Sequence, residues 1–572
     1  MMEPLKVYIN KEAIRVDDDK ETAYKFSPFH LEKLAETGTL NEDELARFGL
    51  DIFNNIFSTK DRRERIRNKL NSIQENETLI ITISSEFEDL HNIPFEIINQ
   101  DGTEKGFLLK KGNVSLVRNI PSLDKEAVST TAPIKILILL SMPLVIYHKA
   151  PLNLLKELKN IYSALEDYMD EGLVQVDVEE RTDKNTIRER VLRGEYDIIH
   201  FTGHGAKGGY LIIEDERDFM RGKPIGAEEL REIFKDSKVK LFYFDACETA
   251  QSSEFEPSLA YHIFKALPHA QVLANSLTVR DDVATAVTEN IYREIFRGRM
   301  ADALNMARLR VTEDWWKPVI FTYPEKELFR ITLKGKKKAR ERNIPPEPGT
   351  NYVYRFAIVR EASSKLERRN YLVLHGIGGA GKSTMATYLA RFYLGKFRYT
   401  YFFDLKEKGL TTPELILDEM LTLMRRDGLV DPSAYQTILD ETKSFNPKDR
   451  VWEKWEFIKK ELKEKTIPTR KKTLLKNTLL ILDNIEEIIQ DEAGIIKRDW
   501  TDFISSLLQE ESGIFTIFTT RLRPSLSERK TLENFVPIGG YTPPELIFLF
   551  HTLDHDSRIY LSSHLEEILI RP

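Results

Sequence analysis

The chain has a single cysteine, Cys247, among its 572 residues. One thiol excludes any disulfide within the chain and fits a reducing compartment. No apolar run is long enough to span a bilayer; the longest, Ile134–Leu140 with its neighbours, reads as a buried strand. The first residues, MMEPLKVYIN, lack the apolar core of a secretory signal, so the expected location is cytoplasmic, with no membrane partner. Neither sign of charge dominates. Against 91 Asp and Glu stand 84 Lys and Arg, a net charge of −7, which argues against a global nucleic-acid binder. Hydrophobic residues make up 41% and charged residues 31%, an ordinary globular balance, and the length predicts three or four domains.

Two short apolar stretches organise the first half. Residues 196–205, YDIIHFTGHG, and 240–249, KLFYFDACET, each end in a reactive side chain beside a turn, His204 in one and Cys247 in the other. Such runs read as buried parallel strands, and in open α/β sheets chemistry gathers at the carboxyl ends of strands. Between them lie a hairpin candidate at 208–214 and a helix candidate at 226–235, together one crossover unit. The two strands are therefore expected to be neighbours with their tips on one edge. Strand and helix patterns alternate from residue 134 to residue 311, which predicts a doubly wound parallel sheet. Residues 1–77 show only helix candidates at 31–36 and 42–57, and TLIITI at 78–83 begins a strand.

An imidazole beside a thiol raises its thiolate fraction or takes its proton, which makes Cys247 a candidate nucleophile and His204 its base. Gly205 leaves its backbone N–H unshielded, and with the N–H of Cys247 it could hold the oxyanion of a tetrahedral intermediate. The alternative is an inert buried cysteine and a hydrogen-bonded loop histidine. His200, inside its strand, reads as a core histidine. Positions two apart in a strand share a face, so the Asp245 carboxylate points to the same side as Cys247.

HFTGHG followed by YFDACET resembles the CHAT domain, a caspase-like cysteine peptidase fold related to separase. The resemblance extends over most of residues 78–332. LHNIPFEII at 90–98 is similar to the family's "LHxLPWE", with Phe95 where Trp is usual. VLANSLTVRDD at 272–282 is similar to its strand-plus-"WPVDD" stretch, with Leu277 for Trp, and GRMADALNMAR at 298–308 to its terminal helix. The resemblance implies a catalytic His204–Cys247 pair acting on a protein substrate. Relatives that cut after Arg or Lys also carry an Asp two residues before the Cys, so Asp245 either pairs with a basic substrate side chain or accepts local backbone N–H bonds. Asp281 and Asp282 are second candidates for pocket acids.

A composition shift then marks a boundary. KGKKKARER at 334–342, followed by NIPPEPGT, reads as a semi-rigid basic and proline-rich linker over 333–350; the basic cluster would also suit phosphate contacts. YLVL at 371–374 leads into GIGGAGKS at 376–383 and a helix, the strand–loop–helix setting of a phosphate-binding loop. Backbone N–H groups around Gly376, Gly378, Gly379, Gly381 and Thr384 would wrap the phosphates of ATP or ADP at the helix amino terminus. Lys382 should reach the β- and γ-phosphates, and Ser383 should offer its hydroxyl to Mg²⁺. TLLILD at 478–483 supplies the partner acid: Asp483 would hold the magnesium ion directly or through water. Glu486 either orients the attacking water or simply begins the next helix. Arg521, after a further strand, either senses the γ-phosphate or binds a nearby carboxylate.

GIGGAGKS, LLILDN and FTTR together resemble the STAND class of signal-transduction NTPases, the NB-ARC and NACHT relatives. Arg360, in VRE at 359–361, is similar to part of that class's "GRE" segment near the base, without its glycine. The resemblance implies an NTPase domain over 351–540 and the start of a helical subdomain over 541–572, with residues 431–477 longer than the usual connection. The chain ends near the expected "GxPL" segment, so the expectation is either truncation or a separate chain that supplies the sensor. The combined expectation is a signal-activated cysteine endopeptidase gated by a nucleotide switch, homo-oligomeric on activation, in prokaryotic defence or programmed cell death. Two alternatives stay open: an inert CHAT fold on an NTP-driven scaffold, and an NTPase half that binds nucleotide without turnover.

Overall fold

The structure is a computed structural model. It describes residues 2–546 except 27, 76, 122, 124–129, 131, 144–153, 207–208, 218–220, 247–257, 268, 324–327, 330, 334–342, 347–354, 356–357, 360, 363–364, 367–369, 396, 398, 408–409, 465–477, 492, 510–513, 526–533 and 542–544. Two compact units divide the chain, Met1–Gly335 and Lys336–Pro572.

The first unit is built on β1 (Leu5–Ile9), β2 (Ala13–Val16), β3 (Thr22–Ala23), β4 (Leu79–Ser84), β5 (Val114–Asn119), β6 (Ile134–Leu140), β7 (Val174–Glu179), β8 (Ile198–Thr202), β9 (Gly205–Ala206), β10 (Tyr210–Glu214), β11 (Gly222–Ile225), β12 (Leu241–Asp245), β13 (Gln271–Asn275) and β14 (Pro318–Phe321). Among the described residues, eleven of these form one sheet in the order β3-β2-β1-β4-β5-β14-β13-β12-β8-β6-β7. From β7 to β13 every pairing is parallel, as the alternating pattern predicts. At β14 the direction reverses: it runs antiparallel to β13 and parallel to β5. Two helices, Asp281–Glu294 and Met300–Leu309, separate β13 from β14. One crossover helix returns the chain to its starting edge, giving a parallel neighbour; a second carries it back again.

The amino-terminal residues hold more strand than their pattern suggests. β1 pairs in parallel with β4, so residues 1–77, whose pattern shows only helix candidates, share the sheet. Helix Glu42–Ile56 starts at a reciprocal cap, with the Asn41 side chain accepting from the Glu44 N–H and the Glu44 carboxylate accepting from the Asn41 N–H. A third helix, Lys60–Ser72, carries too many charges to show an apolar face in sequence.

Alternation along β8 and β12 separates two environments. Ile199, Phe201, Phe242 and Phe244 face one side and join a core with Leu230 and Phe264. His200, Thr202, Tyr243 and Asp245 face the other, where helices Leu154–Asp170 and Asp281–Glu294 cover them.

The second unit carries β15 (Tyr371–His375), β16 (Tyr399–Asp404), β17 (Thr478–Asp483), β18 (Ile514–Thr520) and β19 (Phe535–Pro537), all parallel in the order β16-β17-β18-β15-β19. Helices Pro413–Arg426, Pro432–Thr442 and Pro447–Glu464 fill the long connection between β16 and β17. Trp455 is buried there against Phe503, while Lys454 ties the third helix to the first through Glu414 at 3.1 Å and Asp418 at 2.6 Å. Among the described residues, no helix is long and apolar enough to cross a membrane.

Candidate functional site

β8 and β12 lie side by side with Asp245 in register with Thr202, so both strands end at one edge of the sheet. His204 follows two residues after β8. Its carbonyl oxygen accepts from the Ile212 N–H at 2.9 Å, fastening the histidine loop to β10. Residues in an antiparallel ladder alternate between bonded and non-bonded pairs. With His204 and Ile212 bonded, the Gly205–Leu211 pair is non-bonded, and the Gly205 N–H turns away from β10, to the side where the small sheet β11-β10-β9 ends among the described residues. A donor there suits the oxyanion role expected of it. Cys247 lies outside the described residues, two positions past the last residue of β12.

Asp245 is buried beneath this edge. Its two oxygens accept from the side chains of Asn275, at 3.0 Å, and Thr288, at 2.8 Å. Next to it stand Glu157 and His200, with one ligand-type atom from each of the three residues within 4.8 Å of the others. Glu157 accepts from the Thr202 hydroxyl at 2.7 Å and faces His200 Nε2 at 3.3 Å; His200 Nδ1 lies 3.0 Å from the Tyr292 hydroxyl. Burial pushes Glu157 up to about 7, and the charge of Asp281 adds to the push. Asp245 likewise rises to about 7, through burial first and the Glu157 charge second. Burial lowers His200 to about 4, so its imidazole is neutral at neutral pH. Asp281 and Asp282 begin their helix exposed, and Asp282 is engaged by Arg280 at 2.6 Å.

Sequence reasoning passed over Glu157. The signal was there: Glu157 sits on the same helical face as Leu154, Leu158 and Ile161, where a carboxylate has no solvent.

In the second unit the glycine-rich loop joins β15 to helix Lys382–Phe392. A Cβ on Gly376 would meet the Ile538 carbonyl oxygen at 2.3 Å, and Gly381 caps the helix at φ +87°, so both positions demand glycine. The Lys382 ammonium donates to the Ile377 carbonyl at 2.9 Å, folded over the loop. Burial holds its pKa below the usual lysine range. β18 separates β15 from β17, which places Asp483 one strand beyond the loop's neighbour. Asp483 is buried, accepts from the Thr519 hydroxyl and from Asn484 at 3.1 Å, and interacts with Ser383. Burial raises its pKa. Arg521 stands over the loop, 3.4 Å from where a Gly378 Cβ would be. Its guanidinium binds Glu486 at 3.1 Å, and Lys406 lies 4.0 Å from the same carboxylate. Arg521 thus holds a carboxylate, the second of its two alternatives, from a position beside the loop. Ser383 and Thr384 are half-buried in the first helical turn, Gly379 sits at φ +80°, and Arg360 lies outside the described residues.

Residues 62–323 match the CHAT domain family. The first unit carries a CHAT domain. Residues 357–521 match the family described as Nephrocystin 3, N-terminal. The chain thus joins a protease-like CHAT domain to an NTPase-like region. Solved structures with some similarity include a Walker-type ATPase of Pyrococcus abyssi, at 16% identity and TM-score 0.25, covering 40% of this chain and 65% of that one. Another is the separase–securin complex of Saccharomyces cerevisiae, at 17% identity and TM-score 0.29, covering 54% of this chain and 20% of that one. The chain therefore spans less than two thirds of either. No curated protein sequence matches it.

Proposed function

We propose that the chain is a signal-activated cysteine endopeptidase gated by an ATP/ADP switch. The observation that carries the reading is the common edge of β8 and β12, with His204 just past one strand, Asp245 closing the next and Cys247 two residues on. His204 takes the Cys247 proton and the sulfur attacks the scissile carbonyl carbon. The Gly205 and Cys247 N–H groups hold the oxyanion, and the imidazolium then protonates the leaving amine. Water, deprotonated by His204, releases the acyl group and restores the thiol. Labelling of Cys247 by a thiol-reactive peptide probe tests the reading; a chain that turns over no peptide and takes no label is an inert interaction module.

Cleavage follows Arg or Lys. Two buried carboxyls, Asp245 and Glu157, lie beneath the strand edge, and a guanidinium or ammonium group would ionise both. Asp245→Asn is expected to lower kcat/KM for Arg and Lys peptides by roughly 10- to 100-fold, the scale of a hydrogen bond between charged groups. Peptide-library profiling checks this, and a preference of the parent enzyme for apolar or acidic residues would remove it.

In the NTPase-like region, the loop from Gly376 to Thr384 and Lys382 would hold the phosphates, with Arg360 near the base. Ser383 and Asp483 would hold Mg²⁺, which would supply neutralisation of phosphate charge. Glu486 orients water once Arg521 turns to the γ-phosphate. Asp483→Ala is expected to slow phosphate release by roughly 100-fold, since metal-held charge stabilisation is worth several kcal/mol. Release at the parent rate would mean that Asp483 holds no catalytic ion. ADP keeps the resting form, and a trigger favours ATP and assembly of several copies. Such control fits a cytoplasmic role in prokaryotic defence or programmed cell death.

A further inference from the structure

We infer that Glu157, His200 and Asp245 form a binding site for a divalent transition-metal ion of the zinc class. The three come from different elements, helix Leu154–Asp170, β8 and β12, and one ligand-type atom of each lies within 4.8 Å of the other two. Glu157 Oε1 and His200 Nε2 are 3.3 Å apart. Two ligands each about 2.0–2.1 Å from one tetrahedral ion stand about 3.4 Å apart, so this pair needs almost no adjustment.

The second observation is independent of the clustering. Glu157 Oε1 and His200 Nε2 are both buried, on residues 5% and 0% exposed, and neither makes a well-aligned hydrogen bond despite their 3.3 Å approach and the Asp245 carboxyl beside Glu157. Unmet buried polar atoms are costly, and these two lie 3.3 Å apart with Asp245 beside them. Their opposite ends are anchored: His200 Nδ1 to the Tyr292 hydroxyl, Glu157 Oε2 to Thr202. In the tautomer that donates Nδ1–H to the Tyr292 hydroxyl, the imidazole presents the Nε2 lone pair toward Glu157. Metal-ligating histidines are oriented in this way by the partner of the other ring nitrogen. Asp245 is braced by Asn275 and Thr288 through one bond to each oxygen, and each oxygen keeps a second lone pair.

Charge and donor type narrow the occupant. The charged groups that act most on the two carboxyls are each other, Asp281 and His200. A dication offsets both carboxylates where a proton offsets one. One imidazole and two carboxylates suit zinc and its first-row neighbours, whereas calcium and magnesium favour oxygen alone. The inference shares Asp245 with the basic pocket of the proposed peptidase and in that respect rests on it: an occupying ion competes with an arginine side chain and holds the enzyme reversibly inactive.

Binding is tested apart from cleavage. The full chain carrying Cys247→Ala, stripped with a chelator and titrated with Zn²⁺ against a competing indicator, is expected to hold an equivalent at micromolar or tighter affinity. Adding Glu157→Gln or His200→Asn should weaken it at least about tenfold, as loss of a ligand must exceed the effect of its supporting partners. Because those variants bear on a buried cluster, Co²⁺ is also added to the unsubstituted chain. Ligand-field absorption without a thiolate-to-cobalt band supports a nitrogen and oxygen site. A Cys247→Ala chain that binds no zinc, unchanged affinity in both variants, or cobalt absorption wholly of thiolate origin overturns the site. Cleavage of Arg peptides by a chain that binds no ion removes the metal site alone. A bound ion in a chain that cleaves nothing upholds the site and removes the peptidase.

Discussion

Cys247→Ala is expected to reduce peptide hydrolysis by roughly 10,000-fold or more, or about 5 kcal/mol of transition-state stabilisation. The thiolate is the group that forms the acyl bond, and alanine offers nothing to replace it. His204→Ala should fall to a similar level, since without its base the thiol is mostly protonated at neutral pH. The double variant should lose little further, because nucleophile and base act as one unit. What persists would be oxyanion stabilisation by Gly205, whose N–H turns away from β10. Kinetics of all three variants on one fluorogenic peptide make the check. Full additivity of the two losses would mean that the residues work separately, and parent-level rates in Cys247→Ala would place the chemistry elsewhere.

Lys382→Ala should weaken nucleotide binding by roughly 100-fold and abolish triggered cleavage. The lysine opens its helix and its ammonium donates to the Ile377 carbonyl, so phosphate would replace a neutral acceptor with charged ones. A hydrogen bond between charged groups is worth about 1.5–3 kcal/mol, and the lysine would serve two phosphates. Alanine is the best helix former, so the helix itself should survive. Coupling has a quantitative condition: moving a two-state balance from almost all resting to almost all active takes roughly a 10,000-fold preference of the ligand for the active form. Calorimetric titration with ATP and ADP, beside cleavage of the same substrate, measures both halves. Nucleotide loss with cleavage unchanged would uncouple the two units, and unchanged affinity would move the phosphates away from the loop.

The parallel arrangement of β7, β6, β8, β12 and β13 was legible because one helix per crossover is a local pattern. The same rule does not announce β14, whose direction depends on two successive helices and on β5, far earlier in the chain. β1–β3 were missed because each is short and none has a long apolar run. Asp245 was singled out for its spacing from Cys247, and the structure finds it buried, but its acceptors' partners are Asn275 and Thr288 rather than the neighbouring backbone offered as an alternative. Asp281 and Asp282 were second candidates for pocket acids from their place after a strand; both are exposed at a helix start, where Asp282 is engaged by Arg280 and the charge of Asp281 acts on Glu157.

By itself, the sequence determined where strands end and loops turn, since alternation, glycine placement and single reactive side chains act over a few residues. It thereby brought His204 to the tip of one strand and Lys382 to the first turn of a helix. Only the tertiary structure decided that Glu157 would share a dry space with His200 and Asp245, and that Arg521 would close on Glu486 above Gly378. Desolvation and pairing depend on what covers a side chain, and here the cover comes from helices and strands distant along the chain.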